Sequence, residues 1–246
     1  MKERVQLLGI RVDIFSTKDA GALTRQYIEE ESSRVVYFVN SGTLLLLQEN
    51  DKWKDLVDKS EMVLPGDVSV NDSINEALGH KRDSFFFESF FDGMLDYAIE
   101  TGRELLLVTE NEEKFTSVQK HVHEKRPYLA FSGMFLTEKG ESLGHIVNEI
   151  NSVAPDILIL ALDDRRQLEL LEQFRTQINA GLFMFAGNIL YSQAVAEAEV
   201  PEPIQKLKIG ELYRWFRVGG RTKTLFRDMK IRLKLRFEKR GKSDVR

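Results

Sequence analysis

The feature that most constrains this chain is an alternation of short apolar runs with longer amphipathic segments. The apolar runs, rich in Val, Ile, Leu and Phe, are typical of strands buried on both faces. They cover residues 5–14, 35–40, 62–65, 104–109, 128–132, 156–162 and 182–186. Helices are predicted over residues 17–31, 43–59, 86–100, 112–125, 141–151 and 166–179. Because helical segments between apolar strands form crossover connections, we predict an α/β fold with a mostly parallel sheet and helices on both faces.

Composition narrows the chemistry that the chain can perform. A chain of 246 residues that is 42% hydrophobic can build a large core, so global disorder is excluded. It contains no cysteine, which excludes disulfide scaffolds, zinc–thiolate sites, iron–sulfur clusters and thiol nucleophiles. The sequence has no apolar run near the ~20 residues that cross a bilayer and no secretory signal pattern at its start. We therefore expect a soluble or peripheral cytoplasmic protein.

The charge of the chain is divided unevenly. Residues 206–246 hold 15 of the 35 Lys and Arg but only four of the 39 Asp and Glu, so this segment carries +11 and residues 1–205 carry −15. Pro201 and Pro203 interrupt the helical pattern where the sign changes. We predict a core domain over residues 1–200 and a basic appendage over residues 201–246. The appendage is predicted to be helical, although residues 229–237 also alternate as a strand would.

Three kinds of partner fit the basic appendage. The combination of Lys and Arg with aromatic residues suits an anionic membrane surface, where each cation contributes ~1 kcal/mol to binding. The aromatic residues are Trp215, Phe216, Phe226 and Phe237. The same composition binds nucleic acid through phosphate contacts and stacking, and the cations also match the acidic core or a neighbouring subunit.

Polar loops follow several of the predicted strands. Asn40, Ser41 and Thr43 follow the second strand, residues 65–69 contain Asp67, and residues 163–167 follow the sixth strand. In an open parallel sheet, ligands bind beyond the carboxyl ends of the strands, so we expect these loops to converge on one crevice. Each loop by itself is typical of a helix cap, and none is a known phosphate-binding or nucleophile motif.

The order of these segments resembles one known family. The segments are LLGIRVDIFSTKDA, YFVNSGTLLLLQEN, SEMVLPGDVSV, DILILALDDRRQ and IGELYRWF, followed by the basic tail. The chain resembles the WecG/TagA/CpsF family of bacterial glycosyltransferases in the order and spacing of these segments. The resemblance extends from about residue 5 to about residue 227. The resemblance implies a Rossmann-like core that binds a UDP-sugar, and inverting transfer without an essential metal to a polyprenyl-diphosphate-linked saccharide. It also implies an appendage that meets the membrane and completes the active site.

The resemblance assigns roles to particular residues. The family reads L-P-D-G where this chain reads Leu-Pro-Gly-Asp, so Asp67 is the candidate general base for the acceptor hydroxyl. Asn40, Ser41, Thr43 and Gln167 are candidates to hold donor or acceptor. The candidate cations facing the diphosphate are Arg166, Arg214, Arg217 and Arg221.

Several positions depart from the family pattern. Asp163 and Asp164 stand where the family has small residues, and two like charges near a diphosphate repel it unless a divalent cation intervenes. A metal at this pair is an alternative that we do not favour. Residues 109–113 replace a glycine-rich loop with acids, and residues 186–190 lack the family's aspartate.

Two functions are compatible with these departures. One is a divergent glycosyltransferase of cell-surface polysaccharide or teichoic-acid-type assembly, peripheral at the inner face of the cell membrane. The other is a catalytically silent relative that binds or regulates an active glycosyltransferase. Either allows a homo-oligomer or a hetero-complex, and nucleic acid is the less favoured partner.

Two further clusters are assigned structural roles. His121 and His123 point to different sides of a predicted helix, so they are expected to be surface residues and not metal ligands. The phenylalanines of residues 85–91 have helical spacing and are expected to form core or a subunit interface, more than a groove for a polyprenyl chain.

Overall fold

A parallel sheet organises the protein. The computed structural model describes residues 3–30, 33–80, 82, 85–129, 132–136 and 143–197, with side chains up to residue 195. Within this part of the chain, six strands form one sheet in the order β4-β3-β8-β7-β5-β6, and every neighbouring pair is parallel. The predicted Rossmann-like α/β fold is confirmed. The predicted appendage, residues 201–246, lies outside the described residues.

The bounds of the elements follow the predicted alternation closely. The strands are β1 Arg4–Leu7, β2 Ile10–Asp13, β3 Arg34–Val39, β4 Met62–Pro65, β5 Leu105–Thr109, β6 Ser132–Phe135, β7 Ile157–Ala161 and β8 Leu182–Phe185. The helices are α1 Thr17–Glu29, α2 Ser41–Leu46, α3 Asp51–Asp58, α4 Val68–Leu78, α5 Phe87–Thr101, α6 Glu112–Lys125, α7 Leu143–Val153, α8 Asp164–Phe174 and α9 Ile189–Glu197. A short 3₁₀ helix, Leu47–Glu49, joins α2 to α3.

The central strands are buried on both faces because each face is covered by helices. In β3, Val35, Tyr37 and Val39 pack into one hydrophobic cluster, and Val36 and Phe38 pack into the other. The first cluster includes residues of α2, α3, α4, α7 and α8, and the second includes residues of α1, α5, α6 and α9. The period-2 alternation of a strand therefore divides one apolar run between two cores.

The prediction of a single strand over residues 5–14 was wrong. It is a hairpin in which β1 pairs antiparallel with β2, separate from the main sheet. Leu8 and Gly9 form the turn with φ of +50° and +82°, a conformation that glycine adopts without steric cost. The apolar run is continuous across this turn, so its composition does not reveal the break.

Other elements also differ from prediction. The helix predicted over residues 43–59 is interrupted at Asn50, whose side chain accepts from the backbone N–H groups of Lys52 and Trp53 and starts α3 anew. The strand predicted over residues 128–132 lies instead at β6, because the chain turns at Tyr128, which is 93% exposed. Helices α4 and α9 were not predicted at all.

The phenylalanine cluster is core, as expected. Phe85, Phe87, Phe90 and Phe91 are buried in the second cluster, and Phe38 of β3 makes edge or tilted ring contacts with the first three. Phe86 is the exposed member of the group. This cluster fixes α5 against the sheet.

A buried aspartate ties the hairpin to the sheet. Asp13 is 1% exposed, and its Oδ2 accepts a hydrogen bond of 2.8 Å from the backbone N–H of Val63 in β4. Its Oδ1 forms an ion pair of 2.5 Å with Arg4 of β1. One carboxylate thus satisfies a buried backbone donor and a cation on two different elements.

We predict that Asp13→Ala lowers the free energy of unfolding by about 2–3 kcal/mol, because it leaves the Val63 N–H buried without an acceptor. Urea denaturation measures the change. Asp58→Ala is the matched control, because it removes an exposed hairpin ion pair with Arg11 and should cost at most about 1 kcal/mol. Equal costs for the two variants would contradict the assigned role of Asp13.

Candidate functional site

The carboxyl ends of the parallel strands share one edge of the sheet, and four of the helices that begin there have a side-chain cap. The residues that cap their N-termini are Asn40 for α2, Asp67 for α4, Asn111 for α6 and Asp163 for α8. Each side chain accepts from backbone N–H groups of the first helical turn. The candidate residues are therefore placed by the same hydrogen bonds that start the helices.

Hydrogen bonds join the loops after β3 and β4. The Asp67 Oδ2 accepts from the Ser41 backbone N–H at 2.9 Å and from the Ser41 hydroxyl at 3.0 Å. The Asp67 Oδ1 accepts from the Val70 N–H at 2.8 Å. The half-buried carboxylate is thus fixed between the two neighbouring strand ends.

A second link crosses the sheet from β3 to β7. The Asn40 side-chain amide donates to both carboxylate oxygens of Asp164, at 3.2 and 3.4 Å. Its carbonyl oxygen accepts from the backbone N–H groups of Gly42 and Thr43. Asn40 therefore has a fixed orientation, with its amide directed at the first residue of α8.

The end of β8, which lies between β3 and β7, completes this region. Gly187 has a φ of +58°, and a Cβ placed on it would lie 3.3 Å from both Asp164 Oδ1 and Gln167 Nε2. Its backbone N–H donates to Gln167 Oε1 at 3.0 Å. Glycine is thus required by both backbone conformation and close packing.

An acidic cluster occupies the ends of β5 and β7. Glu110 Oε1 accepts from the Asp163 backbone N–H at 2.9 Å, and Lys114 forms an ion pair with Glu110. Lys114 also donates to the Asn188 side chain at 2.6 Å. This network joins three neighbouring loops, and its Glu110 belongs to residues 109–113, where the resemblance led us to expect a glycine-rich loop.

The two acids of this cluster affect each other's ionisation. Burial raises the pKa of Asp163, and the side-chain contact with Glu110 raises it further. Burial also acts to raise the pKa of Glu110, but hydrogen bonds with Asp163 and Lys114 outweigh it, so the pKa of Glu110 is lowered. Asp163 is therefore the acid that carries the proton when the pair holds one.

The structure brings the predicted residues together to different extents. Asn40 and Asp67 lie half-buried at the edge, and the Arg166 side chain is 43% exposed beside Asp163. Gln167, Ser41 and Thr43 are buried beneath the edge, where they hold the loops, so their predicted contact with donor or acceptor stays a prediction. Arg214, Arg217 and Arg221 lie outside the described residues.

The structure adds no third ligand to the possible metal site at Asp163 and Asp164 within the described residues. Across the described ranges, no group of three or more His, Asp or Glu side chains is arranged to hold a metal ion. Asp163 and Asp164 are adjacent in sequence, but Asp163 contacts Glu110 and Asp164 contacts Asn40.

Among the helices of the described residues, none is both long and apolar enough to span a membrane.

Comparison with known proteins identifies the family of this chain. The sequence profile of the glycosyl transferase WecG/TagA/CpsF family matches residues 5–243, which is nearly the whole chain. The chain belongs to this glycosyltransferase family. A search of curated proteins finds no match to it.

Gly66, the residue before Asp67, is closely packed at the end of β4. Its backbone N–H donates to the Val39 carbonyl at 2.7 Å. A Cβ on Gly66 would lie 2.7 Å from the Ile189 side chain and 3.2 Å from the Val39 oxygen. Helix α9 therefore leaves little room for a side chain at position 66, and the carboxylate stands one residue later.

Sequence reasoning missed two features of the edge. The contact between Lys114 and Asn188 was not predicted, although the four-residue spacing of Glu110 and Lys114 is a recognisable ion-pair signal. The bond between Ser41 and Asp67 depends on the adjacency of β3 and β4, which the sequence does not state.

We predict that Asp163→Asn stabilises the protein at neutral pH, by less than about 1 kcal/mol because the half-exposed pair is partly screened by water. Asparagine keeps the helix cap and removes the repulsion with Glu110. Since the folded-state pKa of Asp163 is raised, the wild type loses stability relative to the variant as pH rises through the interval between the unfolded and folded values.

Urea denaturation at acidic and neutral pH measures this difference. The advantage of the variant should shrink towards acidic pH, where Asp163 is protonated in both states. An advantage that does not change with pH, or a destabilised variant at neutral pH, would contradict the repulsion between the two acids.

Proposed function

We propose that this protein transfers a sugar from a UDP-sugar to a lipid-linked saccharide acceptor in the assembly of a cell-surface polysaccharide or a teichoic-acid-type polymer. The observation that carries the proposal is the hydrogen-bonded convergence of Asn40, Ser41, Asp67 and Asp164 at the carboxyl edge of the sheet. Ligands of open α/β sheets bind at this edge, and the family membership supports sugar transfer.

In this proposal Asp67 is the general base. The acceptor hydroxyl gives its proton to the Asp67 carboxylate while its oxygen forms a bond to the anomeric carbon of the donor sugar. The bond between that carbon and the diphosphate oxygen breaks, and UDP leaves with the electron pair. Attack on the side opposite the leaving group inverts the anomeric centre. The bonds from Ser41 and Val70 hold the carboxylate in one orientation for this step.

Cations must offset the charge that develops on the leaving diphosphate. Arg166, at the start of α8, is the exposed described candidate at this edge. The appendage would supply Arg214, Arg217 and Arg221, which would complete the site when the protein is at the membrane. The carboxylates of Asp163 and Glu110 make the β5 side of the edge unfavourable for phosphate, so the diphosphate is expected on the β3–β4 side, and Arg166 would leave its 3.9 Å contact with Asp163 to meet it there.

A second function is favoured by one specific observation. The Asp67 carboxylate accepts three hydrogen bonds, one as the cap of α4 and two from Ser41, an arrangement that a purely structural aspartate would also show. A catalytically silent family member that binds an active glycosyltransferase would keep this cap and lose transfer. Binding of UDP-sugars by the wild-type protein separates the two functions.

Isothermal titration calorimetry with a panel of UDP-sugars, with and without magnesium, tests the proposed donor class. We expect one member of the panel to bind at micromolar to millimolar concentration without a requirement for magnesium. Absence of binding by folded protein to every member would support the silent partner instead.

We predict that Asp67→Asn lowers the rate of transfer about a hundredfold or more while donor binding is retained, because the amide cannot accept the proton. The rate is measured by release of UDP in the presence of the lipid-linked acceptor. Asn50→Ala is the stability control, because it removes a helix cap outright at a position away from the site, whereas asparagine at position 67 can still cap α4, and it should leave the rate unchanged. Equal loss in both variants would show that Asp67 acts through stability alone.

We also propose that residues 206–246 bind the anionic inner face of the cell membrane. Substitution of Lys230, Arg232, Lys234 and Arg236 by glutamine in the full chain should weaken sedimentation with anionic vesicles about a thousandfold, at ~1 kcal/mol per cation. The control replaces Lys18 and Lys120, two exposed lysines of the core domain, by glutamine. Unchanged sedimentation would contradict the membrane assignment, and retention on RNA in place of vesicles would favour nucleic acid.

A further inference from the structure

Two exposed apolar side chains lie beside the proposed base. Val68, the residue after Asp67, is 75% exposed, and Phe86, the residue before α5, is 62% exposed. The side-chain nitrogen of Asn71 contacts the carbonyl oxygens of Asp67 and Phe85, at 3.4 and 3.0 Å. These carbonyls belong to the peptide groups that lead into Val68 and Phe86, so the two apolar residues are close neighbours. We name Val68 and Phe86 the apolar pair.

The ring of Phe86 occupies a position where a polar residue would stabilise α5. Phe86 is the N-cap residue of this helix and makes no side-chain capping hydrogen bond. Four other helices that begin at this edge have Asn or Asp at the N-cap, where such a bond typically contributes about 1 kcal/mol. Residues that contradict a local preference in this way are expected at functional positions.

A cation lies beside the apolar pair. Arg82 donates from Nη2 to the Asn71 Oδ1 at 3.2 Å, so its guanidinium is one amide group away from the peptide groups that lead into the pair. Burial lowers the pKa of Arg82, and Glu3 lies within electrostatic reach of it, but an arginine keeps its charge in proteins. An exposed apolar surface next to a guanidinium matches an amphiphile with a phosphate head group.

The size of the apolar pair distinguishes between possible partners. Its exposed surface amounts to roughly 200 Å², given that a whole aromatic side chain buries roughly 150–250 Å². A stable protein–protein interface buries about 800 Å² on each partner. The apolar pair therefore matches a short length of hydrocarbon chain and not a second protein.

The position of the apolar pair relative to the base determines which substrate reaches it. The carboxylate of Asp67 contacts Ser41 on the β3 side, whereas its carbonyl contacts Asn71 on the side of the apolar pair. Within the described residues, β4 is the end strand of the sheet, so the pair lies towards the outer side of the site. An acceptor whose hydroxyl meets Asp67 can extend its remaining length over this side without crossing the donor.

The acceptor of the proposed reaction carries a diphosphate between its sugar and an isoprenoid chain. The Arg82 guanidinium matches the diphosphate, and the apolar pair matches the first isoprenoid units, since the rest of a long chain stays in the membrane. Resting on the proposed function, we infer that Val68 and Phe86 bind the isoprenoid units next to the acceptor diphosphate. The apolar pair is thereby assigned to recognition of the acceptor and not of the donor.

Farnesyl diphosphate and inorganic diphosphate test the inference, because they share the diphosphate and differ in the isoprenoid chain. The double variant Val68→Ser/Phe86→Ser of the full chain should bind farnesyl diphosphate about tenfold more weakly, because apolar contact area is lost, and inorganic diphosphate as the wild type does. Calorimetry below the concentration at which the lipid forms micelles gives both ratios. Because both positions are exposed and serine is a favourable N-cap, urea denaturation should find the variant no less stable than the wild type.

Tyr128→Ser is the matched control. It removes an aromatic ring that is 93% exposed before β6, at the opposite edge of the sheet, and should change neither ratio. Equal weakening of both ligands, unchanged binding of farnesyl diphosphate, or the same loss in the control variant overturns the inference.

The wild-type protein separates this inference from the proposed function. If it binds a UDP-sugar but binds farnesyl diphosphate no more tightly than inorganic diphosphate, the inference fails and the proposed function stands. If it binds no UDP-sugar, the proposed function fails whatever the isoprenoid ligands show.

Discussion

The bond between Ser41 and Asp67 is the interaction on which the site depends. Two parallel strands, β3 and β4, end side by side, and this bond fixes the loops that follow them. The same residue, Asp67, starts α4, and the neighbouring Asn40 starts α2 and contacts Asp164 on α8. Because Asn40 and Asp67 are also helix caps, the hydrogen bonds that start α2 and α4 fix the residues that join the loops.

The distribution of charge along this edge divides it into two regions. Around β5 and β7, Glu110 and Asp163 occupy the helix-terminal positions at which a phosphate is otherwise favoured, and Lys114 balances one of them. Around β3 and β4, the carboxylates are held by amides and hydroxyls. The β3–β4 side is therefore the part of the edge that the proposed donor site would use.

Much of the fold could be predicted from local patterns, because buried parallel strands are apolar throughout and helix caps have distinctive side chains. Asn40 and Asn111 are examples in which a polar residue after an apolar run marks a helix start. The turn at Leu8 and Gly9 was missed because the apolar run continues through it. Helix α4 was missed although its cap, Asp67, lies in a loop that is typical of helix caps, because the helix sequence VSVNDSINEAL is rich in Val, Ser, Asn and Asp, which have low helix propensity.

The site itself was predictable in outline and not in its contacts. Strand-end loops must share an edge, but the order β4-β3-β8-β7-β5-β6 decides which of them touch, and no local pattern encodes the insertion of β8 between β3 and β7. That insertion brings Gly187 against Asp164 and places Gln167 beneath the edge, away from its surface. The carboxylate pair of Glu110 and Asp163 likewise depends on the adjacency of β5 and β7.

The central claim, that the carboxyl edge of the sheet is the donor site, is tested most directly by NMR of protein labelled with ¹⁵N at glycine. Gly42, Gly66 and Gly187 report on this edge, and Gly79 and Gly102, which end α4 and α5, report on the opposite edge. Addition of the UDP-sugar should move the amide signals of the first three glycines and leave those of the other two in place. Signals that move only at Gly79 and Gly102, or at none of the five, would contradict the account.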